Sequence, residues 1–338
     1  MKIARFTQAF GFENLRFDEV PDPSPGPGQA VVRVRACSLN FRDLLVARGS
    51  YGRAVKAPLT PLSDGAGEVV AVGEGVTRVK PGDRVCGIFF QSWIEGEIDD
   101  DKSASAMGGA INGILAEKVC LSADGLVHAP SHLSFEEAAT LPCAAVTAWN
   151  SLFHSGRLQP GESVLVQGSG GVSVFALQFA KLAGARVIAT SSSDVKLDRL
   201  KAMGADTGVN YKTTPEWDKP ARAFTNGVGV DHVIEVGGAG TLPLSLKAVR
   251  RAGHIALIGV LTGGGEVDPR MIFVKSVRVQ GIYVGSRKMF EKMNRAVESS
   301  GMRPVIDRVF EFEQTIEAMR YMESGSHFGK VCIRVNAR

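Results

Sequence analysis

The stretch Ser163-Val164-Leu165-Val166-Gln167, followed by Gly168-Ser169-Gly170-Gly171-Val172-Ser173 and an apolar run to Leu182, decides how this chain is read. A short apolar segment bounded by a glycine-rich turn reads as a buried strand. The glycines let the backbone turn sharply and approach a ligand closely, and a helix is predicted over Val172–Leu182. A helix N-terminus presents free N–H groups and a partial positive charge, which suits a pyrophosphate. The last glycine position of the dinucleotide fingerprint is Ser173, small enough for close packing of helix on strand. An ordinary glycine-rich βα turn would look the same in isolation. The surroundings favour a nucleotide site, because a strand over Arg186–Thr190 and a helix over Lys196–Met203 complete a βαβ unit.

Working outward, Asp231–Val236 and His254–Gly259 read as strands, with a helix over Leu242–Ala252 whose first turn tolerates Pro243. Val277–Gly285 reads as a last strand, Lys288–Ser299 as a helix, and Val309–Val335 as mixed strands and helix. Strands alternating with helices imply an α/β fold with a doubly wound parallel sheet of Rossmann type. Residues 1 to about 123 differ and read as mostly β. Val31–Arg35 alternates apolar and polar residues, and Glu68–Val72 precedes the turn Gly73-Glu74-Gly75. Pro81-Gly82-Asp83 turns into a strand over Arg84–Phe90. The polar segment Gln91–Gly113 is expected to be a long loop over a site.

The end of the second nucleotide-domain strand bears on which dinucleotide binds. NAD-binding folds place Asp or Glu about 20 residues beyond the glycine motif to hold the ribose hydroxyls. Here that position is Ser191, followed by Ser192 and Ser193, with Lys196 close behind. Hydroxyls and a lysine accept a 2′-phosphate that a carboxylate would repel, which points to NADP(H). Ser193 or Asp194 also reads as a helix N-cap.

Composition excludes several classes. The 338 residues carry a net charge of +4 with no basic block, which argues against nucleic acid. No segment approaches the ~20 apolar residues of a membrane span. Five scattered cysteines without a CxxC pair fit a reducing compartment, and a cytoplasmic location is expected.

The order Val72-Gly73-Glu74-Gly75-Val76, Pro81-Gly82-Asp83-Arg84-Val85, Cys143-Ala144-Ala145-Val146-Thr147-Ala148-Trp149 and the glycine turn resembles the medium-chain dehydrogenase/reductase superfamily over essentially the whole chain. Within it the chain is most similar to the zinc-independent, quinone-oxidoreductase-like branch and its zinc-type alcohol dehydrogenase-like members. The resemblance implies a GroES-like β-rich catalytic domain over 1–123 and 286–338, a Rossmann NADP(H)-binding domain over 124–285, and a nicotinamide held between them. It also implies that zinc is lost. Asn40 and Ser63 stand where the family's alcohol dehydrogenases have Cys and His ligands. Cys143 matches the third ligand and reads as a small buried hydrophobe, and Gln91–Val119 lacks the cysteines of the structural zinc lobe. By position, the family's cofactor contacts fall on Thr147, Gly168, Gly170, Gly171, Val172, Ser191, Ser192, Lys196, Tyr211, Gly237, Gly259, Val260, Leu261, Tyr283, Val284, Phe328, Gly329 and Lys330. Each of these also has a plain structural reading as core or turn.

Without a metal, reduction of a simple ketone lacks its main electrophile. A quinone or an α,β-unsaturated carbonyl delocalises incoming charge, so hydrogen-bond donors suffice. Candidate catalytic residues are Asn40, Arg42, Tyr51 and Asp64. Tyr51, in Gly49-Ser50-Tyr51-Gly52, is spaced like the tyrosine of mitochondrial-type enoyl thioester reductases in the same superfamily, or is a loop aromatic packed on a wall. Asp64 is either a proton relay or, the favoured reading, a buried partner of Arg42. Phe89, Phe90 and Trp93 either shape an apolar pocket or belong to the core. The expected activity is hydride transfer to a quinone or enone. The alternatives are a metal-free alcohol or aldehyde dehydrogenase, and a crystallin-like NADPH-binding protein without turnover. A homodimer is expected, because Met271–Val279 reads as an exposed apolar edge strand.

Overall fold

The computed structural model describes residues 1–52, 55–263 and 265–336. The chain forms two compact units, one of Met1–Val146 with Gly285–Arg338 and one of Thr147–Val284.

The first unit opens with the antiparallel pair β1 (Lys2–Phe6) and β2 (Leu15–Glu19). A sheet follows from β3 (Gln29–Ser38), β4 (Asp64–Val72), β5 (Arg84–Gly87), β6 (Lys118–Ser122) and β7 (Leu126–His128). In β3 the alternation predicted over Val31–Arg35 buries Val32 and Val34 in a core shared with Leu44, Leu62, Val85 and Ile333. The predicted strand Arg84–Phe90 ends at Gly87. Beyond it the backbone turns, Phe89 and Phe90 pack edge to face in the core, and Trp93 donates its indole N–H to Gly96. The predicted loop Gln91–Gly113 is largely irregular but contains a one-turn helix, Asp100–Ser103, capped by Asp99.

The second unit is one six-stranded sheet: β8 (Ser163–Gln167), β9 (Arg186–Ser191), β10 (Thr207–Asn210), β11 (Val230–Glu235), β12 (Val249–Leu257) and β13 (Arg278–Gly281). Its order is β10-β9-β8-β11-β12-β13 and every pairing is parallel. That is the doubly wound Rossmann order, with the switch point after β8. Its four central strands are buried on both faces, as parallel strands covered by helices are: Val164, Leu165, Val187, Ile188, Val233 and Ile255 are all inaccessible.

Several boundaries differ from expectation. The helix predicted to Ala252 stops at Ala248, because β12 already pairs with β11 at Val249. The strand predicted over Val277–Gly285 is shortened to Arg278–Gly281, leaving Tyr283 and Val284 beyond its end. Only the end of the predicted edge strand Met271–Val279 is one: β13 begins at Arg278. Arg270–Lys275 is a helix, closed by Ser276 in the left-handed region at φ 51°. Apolarity alone does not separate a short amphipathic helix from a strand.

The chain then returns to the first unit with β14 (Ile306–Glu311), the helix Thr315–Glu323 and β15 (Lys330–Arg334), which pairs antiparallel with β3. Part of the segment beyond residue 123 that the resemblance assigns to the nucleotide domain, including β7 and the helix Phe135–Ala139, lies in this first unit, where β7 pairs with β5. No helix among the described residues is long and apolar enough to cross a membrane.

Candidate functional site

In the first unit the ends of three strands converge. Ser38 at the end of β3 is in register with Asp64 at the start of β4 and with Cys332 of β15. Continuing that antiparallel register sets Lys330 opposite Asn40, the residue that begins the helix Phe41–Ala47. The Lys330 ammonium, only 3% exposed, donates to the Leu39 carbonyl at 2.5 Å and to Asn40 Oδ1 at 2.7 Å. Asp64 accepts from the Ser63 hydroxyl at 2.7 Å and from the Cys143 backbone N–H at 3.0 Å. Burial raises the Asp64 pKa, while Lys330, Ser63 and Asn40 pull it back. The Asn40 amide lies close enough to favour that carboxylate, yet its Nδ2 is buried and meets no acceptor at hydrogen-bonding distance.

Arg42 does not pair with Asp64. Its guanidinium donates to Asp43 at 3.2 Å and to the Met107 carbonyl at 2.9 Å, and lies 4.5 Å from the centre of the Tyr51 ring. It is also pressed against Gly109, where a Cβ would stand 2.4 Å from one of its nitrogens. Sequence reasoning passes over Asp43. It is fully buried, accepts the Asn40 backbone N–H at 2.8 Å, and burial pushes its pKa to about 6 against the pull of Arg42. A signal for it exists, since an acidic residue three positions after an N-terminal Asn is a capping box. Asn40, Arg42, Asp43, Tyr51, Ser63, Asp64, Cys143 and Lys330 thus form one polar group in this unit. Lys330, assigned from the resemblance to the cofactor, is part of it. Phe328 is buried, and Gly329 has a positive φ of 77° that sets up the start of β15.

In the second unit the helix Gly171–Leu182 starts at Gly170 without a side-chain cap. Gly168 has φ 74°, and a Cβ on Gly168 or Gly170 would meet nothing within 4 Å. The turn therefore offers uncovered backbone, as a pyrophosphate cradle requires. Gly171 and Val172 form the first helical turn, and the Ser173 hydroxyl returns to the Gln167 carbonyl at 2.5 Å. At the end of β9, Ser191 is buried and accepts the Ser193 N–H at 3.3 Å; Ser192 and Lys196 are half-buried. Ser193 is the N-cap of the helix Asp194–Ala202, and Asp194 is engaged by the Asn210 amide at 2.8 Å. Tyr211 is 42% exposed just beyond β10, its N–H on the Ser191 carbonyl.

Glu235, at the end of β11, belongs to none of the motifs read from sequence. It is buried and accepts from Gln167 at 2.8 Å, from the Gly237 and Gly238 N–H groups and from Thr241 and Ser245. It fixes the loop that carries Gly237. Gly259 is required sterically, since a Cβ there would lie 1.8 Å from the Val236 carbonyl oxygen. Val260 and Leu261 follow it, exposed. Thr147 is buried, its carbonyl accepting from Ser151 at 2.7 Å, and the Val284 carbonyl accepts from Asn150 at 2.7 Å. Tyr283 is exposed.

Two family models match: an alcohol dehydrogenase GroES-like domain over residues 26–131 and a zinc-binding dehydrogenase over 171–299. The chain is 45% identical, over 96% of both chains, to a zinc-type alcohol dehydrogenase-like protein of Schizosaccharomyces pombe. The crystal structure of a putative alcohol dehydrogenase from Sinorhizobium meliloti superposes with a TM-score of 0.92 at 41% identity, covering 98% of each chain. The structure of the 2-octenoyl-CoA carboxylase reductase CinF, solved with NADP and 2-octenoyl-CoA, has a TM-score of 0.88 at 27% identity, over 96% of this chain and 83% of that one.

The zinc in the second family's description does not fit the residues present. The positions that the resemblance gives to the metal ligands hold an amide bonded to an ammonium, a hydroxyl donating to Asp64, and a Cys143 thiol whose pKa burial pushes well up. Among the described residues no group of three His, Cys, Asp or Glu is arranged to hold a metal ion. With a GroES-like sheet, a Rossmann sheet and relatives matched along its whole length, the chain belongs to the medium-chain dehydrogenase/reductase superfamily, in its alcohol dehydrogenase-like branch, and is an oxidoreductase of that superfamily.

Proposed function

We propose that this oxidoreductase works without zinc, uses NADP(H), and reduces a quinone or an α,β-unsaturated carbonyl. The observation that carries the reading is the Lys330 ammonium bonded to Asn40, the residue that the resemblance sets at a metal-ligand position. A group of this kind stabilises modest negative charge by hydrogen bonding, but it does not polarise a plain ketone as a Lewis acid does. Substrates that spread their own charge are matched to it.

When bound, NADPH supplies the hydride. The chain's own residues do the rest. Gly168, Gly170, Gly171 and Val172 cradle the pyrophosphate, and Ser191, Ser192, Lys196 and Tyr211 hold the 2′-phosphate. Thr147, Gly237, Gly259, Val260, Leu261, Tyr283 and Val284 would edge the nicotinamide half. Asn40 and Tyr51 donate to the developing enolate or hydroquinone oxygen, and Arg42 holds Tyr51 by stacking on its ring. Asp64 keeps the Lys330–Asn40 pair in place. The name of the CinF structure, with its NADP and an enoyl thioester, supports this choice of cofactor and substrate class.

The deciding test is turnover with quinones, enones and primary alcohols, each with NADPH or NADP+ and with NADH or NAD+. Faster turnover of alcohols than of enones would overturn the substrate class, and NADH efficiency equal to that of NADPH would overturn the cofactor. We also propose a homodimer. Its basis is the edge of β13, which is mostly exposed and, among the described residues, pairs only with β12. Light scattering that gives the 36.0 kDa of a single chain at micromolar concentration would refute it. All five cysteines are free, which supports a cytoplasmic location.

A further inference from the structure

The second unit carries an open groove of about 890 Å³ beside the first residues of β12, at the opposite end of the parallel sheet from the glycine turn. Six cationic side chains line it, Arg222, Lys247, Arg250, Arg251, Arg270 and Lys275, against one carboxylate, Asp218. The whole chain has a net charge of only +4, so this is a local concentration of charge. Two of the six have carboxylate partners outside the lining: Arg250 on Asp231 and Glu162, and Arg270 on Asp268.

Three others are held by backbone carbonyls. Lys275 donates to Leu246 at 2.6 Å, to Lys247 at 3.2 Å and to Val249. Arg222 donates to Gly227 and Lys247, and Arg251 to Val274 at 2.7 Å. Carbonyls fix these groups in place but do not neutralise them. Partial burial together with Arg222 and Arg251 pushes the Lys275 ammonium down to about 8, so its proton is held weakly against its neighbours. Leu246, Met271 and Val274 add apolar surface to the lining.

We propose that this groove is a second anion site, which takes the phosphoryl group of a small molecule and is separate from the dinucleotide site. A phosphoryl oxygen set among Arg222, Arg251 and Lys275 supplies the counter-charge that the carbonyls do not. Its arrival raises the Lys275 pKa, so binding near pH 8 takes up a fraction of a proton.

The test uses the full chain saturated with NADPH, titrated with inorganic pyrophosphate by calorimetry at pH 8 in two buffers of different ionisation enthalpy. The expected result is one saturable site that persists with NADPH bound and takes up protons. Arg251→Glu and, separately, Lys247→Glu should each weaken it about tenfold or more while NADPH affinity stays unchanged. Ser191→Asp, which acts on the dinucleotide site, should leave it intact. If NADPH abolishes the pyrophosphate site, or Ser191→Asp removes it while Arg251→Glu does not, the anion occupies the dinucleotide site and the proposal is overturned. Absence of binding overturns it as well. Weak NADPH binding with an intact, Arg251-dependent pyrophosphate site would count against the NADP(H) reading alone.

Discussion

The Lys330 ammonium lies 2.7 Å from Asn40 Oδ1, and its charge acts on the buried carboxylates of Asp64 and Asp43. Burying an ammonium costs several kcal/mol, which is offset only when charge and hydrogen bonds are both supplied. Here Leu39 and Asn40 supply the hydrogen bonds and the two aspartates the charge. Lys330→Met leaves those carboxylates without their cation and should destabilise the protein by about 3–5 kcal/mol. Urea denaturation measures this, and a change below about 1 kcal/mol would mean that the aspartates are neutral in the folded protein.

Purified protein should contain no stoichiometric zinc, and chelators should not affect its turnover. One tightly bound zinc per chain by elemental analysis would require Cys143 to lose its proton and Lys330 to leave Asn40. It would end the reading of this group as metal-free.

Ser191→Asp should shift preference from NADPH towards NADH. The substituted carboxylate would face the 2′-phosphate, and like-charge repulsion in a buried position is not screened as it is on the surface. Steady-state kcat/KM for the two cofactors is the measurement. An unchanged ratio removes Ser191 from cofactor selection and leaves Lys196 or Tyr211 to account for it.

Tyr51→Phe keeps the ring under Arg42 and deletes only the hydroxyl. If that hydroxyl donates to the substrate oxygen, turnover should fall roughly 100–1000-fold, with NADPH affinity by fluorescence unchanged. Asn40→Ala should also lower turnover, but it removes an acceptor from Lys330 and so should lower stability too. Normal turnover in Tyr51→Phe would leave the ring as packing for Arg42.

Acid should destabilise the second unit through two neighbouring histidines. His254 accepts or donates at Ser155 (2.9 Å) and lies 3.4 Å from His232, which meets Glu162 at 2.9 Å. Burial, with His232 and Arg278, lowers the His254 pKa to about 3; burial also lowers that of His232, despite Glu162 and Asp231. A folded-state pKa below the unfolded one means that the unfolded chain binds more protons. Stability is therefore full above about pH 6.5 and is lost as pH falls from there towards 3. The loss through one histidine is at most about 1.4 kcal/mol for each pH unit crossed. His254→Gln should flatten the denaturation midpoint across that window, and an unaltered profile would assign the acid lability to other groups.

The Rossmann unit is legible in the sequence because its signals are local. Val164–Val166, the turn at Gly168–Gly171 and the helix to Leu182 follow one another within one βα unit, and each follows from the backbone conformation its residues favour. Ser191 is legible for the same reason, as a fixed count from the glycine turn. Helix and strand at Arg270–Lys275 are not separable, because six apolar and basic residues satisfy either period and the decision falls to what they pack against.

The sequence by itself determined the alternation of strands and helices around β8 and β9 and the glycine turn between them. Only the tertiary structure decided that Arg42 pairs with Asp43 rather than Asp64, and that Lys330 reaches Asn40 from 290 residues away. The reason is physical: a charge buried by long-range strand pairing takes its partner from the register of β3, β4 and β15. Nothing in the local sequence of either residue encodes that register.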